Sequence, residues 1–381
     1  TIERYQEIVK DIPLKLRDYQ KEAVAYAAHN QKCILVSPTA SGKSLMIYSL
    51  IRYNFLKKNK KALVIVPTTS LVEQMTKDFQ DYGFKGKIAK IYGGDKGAEA
   101  PIVVTTWQSM IRMPKGFGNQ FGMVIGDEAH LFQAKSLTKI MESLTEVKYK
   151  IGTTGTLQDT QTHKLQLEGL FGPAYFVTTS KELMDEGTLA NLNIKCLVLS
   201  YSDEERKLVC KMSYQEEMDW IVRNEKRNNF IKNLVNGLEG NSLVLFQYVE
   251  KHGRGLYKIL SEAVTTKRKV FFVFGGTDAL DREKVREIVE KESNAVIVAS
   301  FGTFSTGINI KRLHNIVFAS PSKSRIRNLQ SIGRGLRIGK DKEDVVLYDI
   351  ADDLSWKKNT NYTLNHFSER INTYSKENFN Y

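Results

Sequence analysis

Short apolar runs rich in Val and Ile recur along this 381-residue chain, and most are followed by a longer segment of helical spacing. KCILVS, KALVIVP, PIVVTT, FGMVIGDE and KYKIGTT are runs of this kind in the first half, with LMIYSLIRYNFLKK and TSLVEQMTKDFQDYG between them. Apolar runs without polar alternation predict strands buried on both faces. Strand and helix in alternation predict a parallel sheet covered by helices. The scheme repeats in NSLVLFQ, RKVFFVFG, NAVIVAS, HNIVFAS and DVVLYDI, separated by HGRGLYKILSEAV and DREKVREIVEKE. The fold class is therefore α/β with two parallel-sheet domains, which also suits the length. The polar, turn-rich stretch SKELMDEGTLANLNIKC places the boundary near Glu186 to Asn193, giving domains 1–188 and 189–350 and a polar tail, 351–381. The tail is compatible with a packed helix or with fraying.

Charge narrows the partners. There are 56 Lys and Arg against 43 Asp and Glu, a formal net charge of +13. Such an excess points to an anionic partner, most often nucleic acid, although a self-repelling solvated surface has the same composition. Cys33, Cys196 and Cys210 are far apart and form no CxxC, which argues against a zinc site or a disulfide framework. All three are expected to be reduced and buried. No apolar run approaches a membrane span, and the charged TIERYQEIVK is no signal peptide. The first residue is Thr rather than Met, as in a piece of a longer chain.

Two segments carry chemistry. SPTASGKS, residues 37–44, lies between a strand and a helix, where backbone N–H groups and the helix dipole favour a phosphate. It keeps the Gly-Lys-Ser half of the G-x-x-x-x-G-K-[ST] loop, with Ser37 and Ala40 where glycine is common. Thr39, Ala40, Ser41, Gly42, Lys43 and Ser44 are the candidate cradle for ATP. Lys43 is placed for the β- and γ-phosphates and Ser44 for Mg²⁺. Downstream, the strand MVIG delivers Asp127 and Glu128 at its C-terminal end, the ligand-binding edge of open α/β sheets. Asp127 can hold Mg²⁺ and Glu128 can deprotonate an attacking water. The bland alternative is an Asp that caps the next helix.

SPTASGKS and DEAH together resemble the superfamily-two helicases, which couple ATP hydrolysis to movement on nucleic acid, and the resemblance extends over almost the whole chain. It implies two tandem RecA-like P-loop domains with ATP in the cleft between them. LRDYQ resembles the element that reads adenine, here through Arg17 and Gln20. PTTSLVEQ and TTWQSM resemble strand-contacting motifs, and TTGTL the coupling motif, with Thr154 and Thr156. FGTFSTGINI resembles the penultimate motif, with Gly307 and Asn309 at the nucleotide and Asn309 where many relatives carry Asp. QSIGRGLR matches the last motif, Q-x-x-G-R-x-x-R. Gln330, Arg334 and Arg337 recur at four- and three-residue spacing, so one helix face can present all three. Arginines of this kind neutralise transition-state charge at a γ-phosphate.

The opening element differs from the RNA-helicase version, which favours DNA. Within the family the chain resembles phage recombination and repair helicases that regress forks, migrate junctions and remove R-loops. That implies single-stranded and branched DNA as partners, RNA in RNA–DNA hybrids, no membrane, a monomer, and the cytoplasm of a host cell. An RNA helicase, another class of P-loop ATPase and a DNA-binding module without turnover stay open as alternatives. Lys323, Arg325 and Arg327 line the backbone track or merely solvate a loop. Trp107 and Trp220 can stack on bases, with core packing as the plainer expectation, and His29, His163 and His366 stand alone.

Overall fold

Alternate residues of each central strand in the first half face two different cores. In β1 (Lys32–Val36), Cys33 and Leu35 pack on one side and Ile34 and Val36 on the other; in β2 (Ala62–Val66), Ala62, Val64 and Val66 oppose Leu63 and Ile65. A strand with no polar side has to be covered twice, and helices on both faces do so. The computed structural model describes residues 2–57, 61–92, 99–157, 161–263, 268–307, 310, 312–321 and 344–381. It separates into two units, Thr1–Thr179 and Ser180–Tyr381.

The first sheet is completed by β3 (Ile88–Ile91), β4 (Ile102–Thr106), β5 (Met123–Asp127), β6 (Tyr149–Thr154) and β7 (Ala174–Phe176). Among the described residues its order is β3-β4-β2-β5-β6-β1-β7, parallel throughout. The helix Lys43–Leu56 lies on one face with an unbroken buried run from Leu45 to Ile51, so it is enclosed by neighbours and not amphipathic. Tyr48 stacks on Phe79 of the helix Thr69–Asp81, ring centroids 5.6 Å apart.

The second unit holds β8 (Asn191–Ser200), β9 (Ser242–Phe246), β10 (Val270–Val273), β11 (Val296–Ser300), β12 (Asn315–Phe318) and β13 (Asp344–Asp353). Their order is β10-β11-β9-β12-β13-β8, again parallel. Val244, Phe246, Val296, Val298 and Val317 pack against helices Glu225–Asn236 and Arg254–Ala263. β8 runs through the stretch expected to be turn-rich. Its Asn and Lys residues alternate with Leu and Ile because it is an edge strand, buried on one side at its start.

The polar tail is a packed helix, Tyr362–Lys376. Asp349 of β13 accepts two bonds from Arg370, both 2.8 Å, and one from the Tyr374 hydroxyl, 2.8 Å. All three side chains are buried, so the pair is compensated within the core. Glu217, on helix Tyr214–Arg223, satisfies the start of the tail helix. It accepts from the N–H groups of Tyr362 and Thr363 (3.0 and 2.8 Å), the Thr363 hydroxyl (2.7 Å) and the Asn361 amide (2.9 Å). The cysteines depart from expectation in burial: Cys33 is buried, but Cys196 and Cys210 are only half-buried, and all three are free. Cys196 sits on the one-sided edge strand and Cys210 just beyond a short surface helix, which explains their exposure.

Candidate functional site

β5, β6 and β1 are adjacent in the first sheet, and their C-terminal ends bring together three of the predicted segments. β1 runs directly into SPTASGKS. Ala40 (φ +70°) and Gly42 (φ +79°) both take left-handed backbone conformations, which turn the chain sharply before the helix at Lys43. Ala40 therefore occupies a conformation that glycine would adopt without strain. Ser37 is fully buried, and its hydroxyl donates to Ser41 Oγ (2.6 Å), which in turn donates to Pro38 O (2.7 Å). The serine in place of the first glycine thus ties the loop from inside. Lys43 Nζ lies 3.4 Å from Ser37 O, folded over the loop. Leu45 and Met46 N–H donate to Gly42 O (3.1 and 3.3 Å), which leaves the amides of Lys43 and Ser44 at the helix start as donors for an anion.

Gln20 and Tyr19 hold this loop from the preceding helix. Gln20 Nε2 donates to Ser41 O (2.9 Å), Tyr19 OH donates to the same carbonyl (3.1 Å), and Gln20 Oε1 accepts from Arg17 N–H (2.9 Å). The Arg17 guanidinium donates to Tyr19 OH, 2.8 Å. Gln20 is thus anchored at both ends of its amide. Tyr19 stands beside the predicted pair without having been singled out. Ser44 Oγ lies 2.8 Å from Tyr82 OH, a partner 38 residues away that no local pattern signals.

Asp127 closes β5 and is buried, and the Thr153 hydroxyl on β6 donates to its Oδ1 at 2.8 Å. Burial raises its carboxyl above the ordinary carboxylate range and the charge of Glu128 adds to this, while Lys43 and Thr153 oppose it. Asp127 caps no helix. The residue at the start of the next short turn is Glu128, at φ +52°, a costly conformation for a side chain of its kind. Glu128 Oε2 is buried without a hydrogen-bond partner, as is Thr156 Oγ1. His130 Nδ1 sits 3.4 Å from Glu128 Oε2 and 2.9 Å from Thr154 Oγ1. Thr154 donates its own proton to Thr156 O (2.9 Å), so His130 carries hydrogen on Nδ1. Burial lowers the pKa of His130, which favours the neutral ring.

Paired glycines seat this turn. Gly126 and Gly152 are direct partners on β5 and β6. A Cβ on Gly126 would come within 2.8 Å of Phe132, and one on Gly152 within 2.9 Å of Ala129 Cβ. The missing side chains let DEAHLF lie flat on the sheet. Gly155 serves the other side: its Cβ position would be 3.5 Å from Lys43 Nζ and 4.0 Å from Thr39 N. TTGTL is joined to the start of the phosphate loop by the Ser37 N–H, which donates to Thr154 O at 2.8 Å.

PTTSLVEQ and TTWQSM start helices at the same edge. Thr68 Oγ1 accepts from Leu71 N–H and Thr106 Oγ1 from Ser109 N–H, both 3.3 Å. Trp107 packs against one core of the first unit, and Trp220 lies against Tyr201, centroids 5.3 Å apart. In the second unit the helix Phe301–Gly307 follows β11, and Ser300 Oγ accepts from Thr303 N–H at 3.3 Å. Asn309, Lys323, Arg325, Arg327, Gln330, Arg334 and Arg337 lie outside the described residues.

Known proteins resemble this chain in sequence and fold. Residues 13–159 match the type III restriction enzyme res subunit family and residues 225–339 the helicase conserved C-terminal domain. The chain is 37% identical to the ATP-dependent DNA helicase uvsW of Enterobacteria phage T4, over 95% of this chain and 76% of that protein. It belongs to the superfamily-two helicases, in the uvsW family. The probable helicase D10 of Escherichia phage T5 is 25% identical, over 89% of this chain and 72% of its own length. A DNA-bound type ISP restriction-modification enzyme, LlaBIII, shares the fold, with a TM-score of 0.68 at 18% identity over 96% of this chain and 30% of its own. As in other helicases of this superfamily, the two parallel-sheet units are tandem RecA-like domains.

The helicase loop and carboxylates fit a magnesium–nucleotide complex. A buried carboxyl made basic by its surroundings, a neighbouring carboxylate oxygen with no partner and a lysine over the loop are compensated together by a bound cation and phosphates. Among the described residues no helix is long and apolar enough to cross a membrane.

Proposed function

We propose that this chain is an ATP-dependent DNA helicase that remodels branched DNA. The observation that carries the proposal is the meeting of three adjacent strand ends, which bring Lys43, Asp127, Glu128 and Thr154 to one edge with Gly155 against Lys43. Lys43 grips the outer phosphates of ATP, and the amides of Lys43 and Ser44 at the helix start cradle them, while the Ser41 amide is turned to Pro38 O (3.3 Å). Asp127 and Ser44 would hold Mg²⁺, which when bound would screen phosphate charge. Glu128 accepts a proton from the attacking water through its free carboxylate oxygen, and His130, tied to Thr154, stands beside it as a neutral ring. Arg17 and Gln20 brace the loop beside the base, and Gly307 and Asn309 act from the second unit. Gln330, Arg334 and Arg337 supply positive charge that counts most in the transition state.

The same edge carries the DNA side of the proposal. PTTSLVEQ begins a capped helix of 13 residues there, and helix starts favour phosphate. Contacts to backbone phosphates are blind to sequence, as a helicase requires. The proposal extends to fork regression, junction migration and removal of R-loops, with RNA engaged in RNA–DNA hybrids, and to a monomer working in host-cell cytoplasm. Domain limits of 1–188 and 189–350, with 351–381 as an extension, belong to the same proposal.

Lys43→Ala tests it. The variant should keep the fold, because Lys43 is not a core residue, and should lose ATP turnover on every DNA. Turnover at the wild-type rate would remove Lys43 from the site.

A further inference from the structure

The ATPase motifs leave one built feature of the second sheet unused. β13 and β8 end together, Asp353 opposite Ser200, so the loop after β13 and the helix Asp203–Val209 leave the C-terminal edge side by side. This is the edge from which Ser300 and Ser320 also depart. Trp356 N–H donates to Asn359 O and Asn359 N–H to Trp356 O, both 3.0 Å, which closes a turn with Lys357 and Lys358 at its tip. The turn is braced by two side chains, Asn361 and Arg206. Leu354 N–H donates to Asn361 Oδ1 (3.0 Å), Asn361 Nδ2 to Asp352 O (3.1 Å), and Arg206 Nε to Ser355 O (2.6 Å). Lys207 Nζ stands 4.9 Å from the Trp356 ring centroid and the Arg206 guanidinium 5.8 Å from it.

Lys357 and Lys358 at the tip of the turn are exposed, and Lys207, also exposed, has Glu204 three residues before it on the same helix as a counter-charge. Of the acids on that helix, Asp203 lies 3.6 Å from Arg206 and Glu205 accepts the Ser202 N–H at 2.9 Å; Glu204 is held below the ordinary carboxylate range chiefly by hydrogen bonds at the helix start, with Lys207 adding to this. Lys357 has φ +55°, where Asn or Gly would be less strained. A strained, braced turn that holds cations together gains when a polyanion neutralises them.

We propose that this turn is a second grip on nucleic acid, in which Lys357 and Lys358 contact backbone phosphates and Trp356 with Lys207 forms the base beneath them. The proposal rests on the DNA-helicase reading. It adds a contact outside every motif of the ATPase. The phosphates come from a single strand or from a duplex arm, and the experiment separates the two.

Affinity is measured against salt for the wild-type chain, for Lys357→Ala/Lys358→Ala and for Lys85→Ala/Lys87→Ala, on single-stranded, duplex and forked DNA. Lys85 and Lys87 are an exposed pair just before β3 and remove the same charge elsewhere. Loss of two phosphate contacts should lower the slope of log affinity against log salt by about 1.4 on a single strand or about 1.8 on a duplex. At 0.1 M salt that is a fall of roughly 25- to 60-fold. The DNA substrate on which the slope falls by its own full two-contact value identifies the source. ATP turnover without DNA and the unfolding transition should match the wild type. A variant slope equal to the wild type, or equal to the Lys85/Lys87 control, overturns the grip while leaving the helicase reading intact. A wild-type chain with no salt-dependent DNA binding overturns both.

Discussion

Replacing Gly42 by Ala perturbs the phosphate loop in a way the structure makes quantitative. Gly42 has φ +79° and ψ +39°, and an alanine in this left-handed region is disfavoured by about 1–2 kcal/mol. The added Cβ would also fall inside van der Waals contact with Gln20 Nε2. Gln20 cannot swing aside freely, because it is buried and tied to Arg17 N–H and Ser41 O. Relief breaks at least one buried hydrogen bond, which adds about 1–3 kcal/mol. Gly42→Ala should therefore destabilise the first unit by about 2–5 kcal/mol. In a Gln20→Ala background the same substitution meets no amide and should cost only the backbone part, about 1–2 kcal/mol. Chemical denaturation of the four proteins of this cycle, with nucleotide affinity measured alongside, gives the coupling. Additive effects, or a Gly42→Ala protein as stable as wild type, would mean that Gln20 does not pack on the loop as described.

Glu128→Gln should still bind ATP and lower turnover by about 10²–10⁴, since only a proton acceptor is lost; single-turnover assays beside binding show whether both slow together. Glu217→Ala leaves two helix N–H groups, a hydroxyl and an amide without their acceptor and should destabilise the second unit by about 3 kcal/mol or more, read by denaturation. His252 gives a pH signature. Burial above all, and then Arg227, push it down to about 3. The folded state stays neutral where the unfolded chain takes a proton, so its contribution is complete above about pH 6.5 and declines as pH falls towards 3. Between pH 7 and 5 the wild type should lose about 2 kcal/mol more than His252→Gln. Equal pH profiles would remove the histidine from that role.

The sheets were legible because strands buried on both faces cannot carry polar residues, and KALVIVP or NAVIVAS admits no other placement. The loop and the carboxylates were legible because phosphate chemistry requires their spacing within a few residues. What escaped depends on residues far apart in sequence. Tyr82 meets Ser44, and Glu217 caps a helix that begins about 145 residues later, so no window on the sequence holds both partners. β8 was obscured because an edge strand shows half a pattern. Ser37 and Ala40, departures from the usual loop, find their reason only in three dimensions: one bonds across the loop to Ser41 and the other takes a glycine-like φ.

ATP turnover by Arg337→Ala, with and without DNA and beside nucleotide affinity, decides whether the two units work as one DNA-coupled ATPase. The variant should bind nucleotide as the wild type does and hydrolyse it slowly, and forked or single-stranded DNA should no longer stimulate it. A variant that DNA still stimulates to the wild-type rate would show that the second unit takes no part in hydrolysis, and the helicase mechanism proposed for this chain would fall.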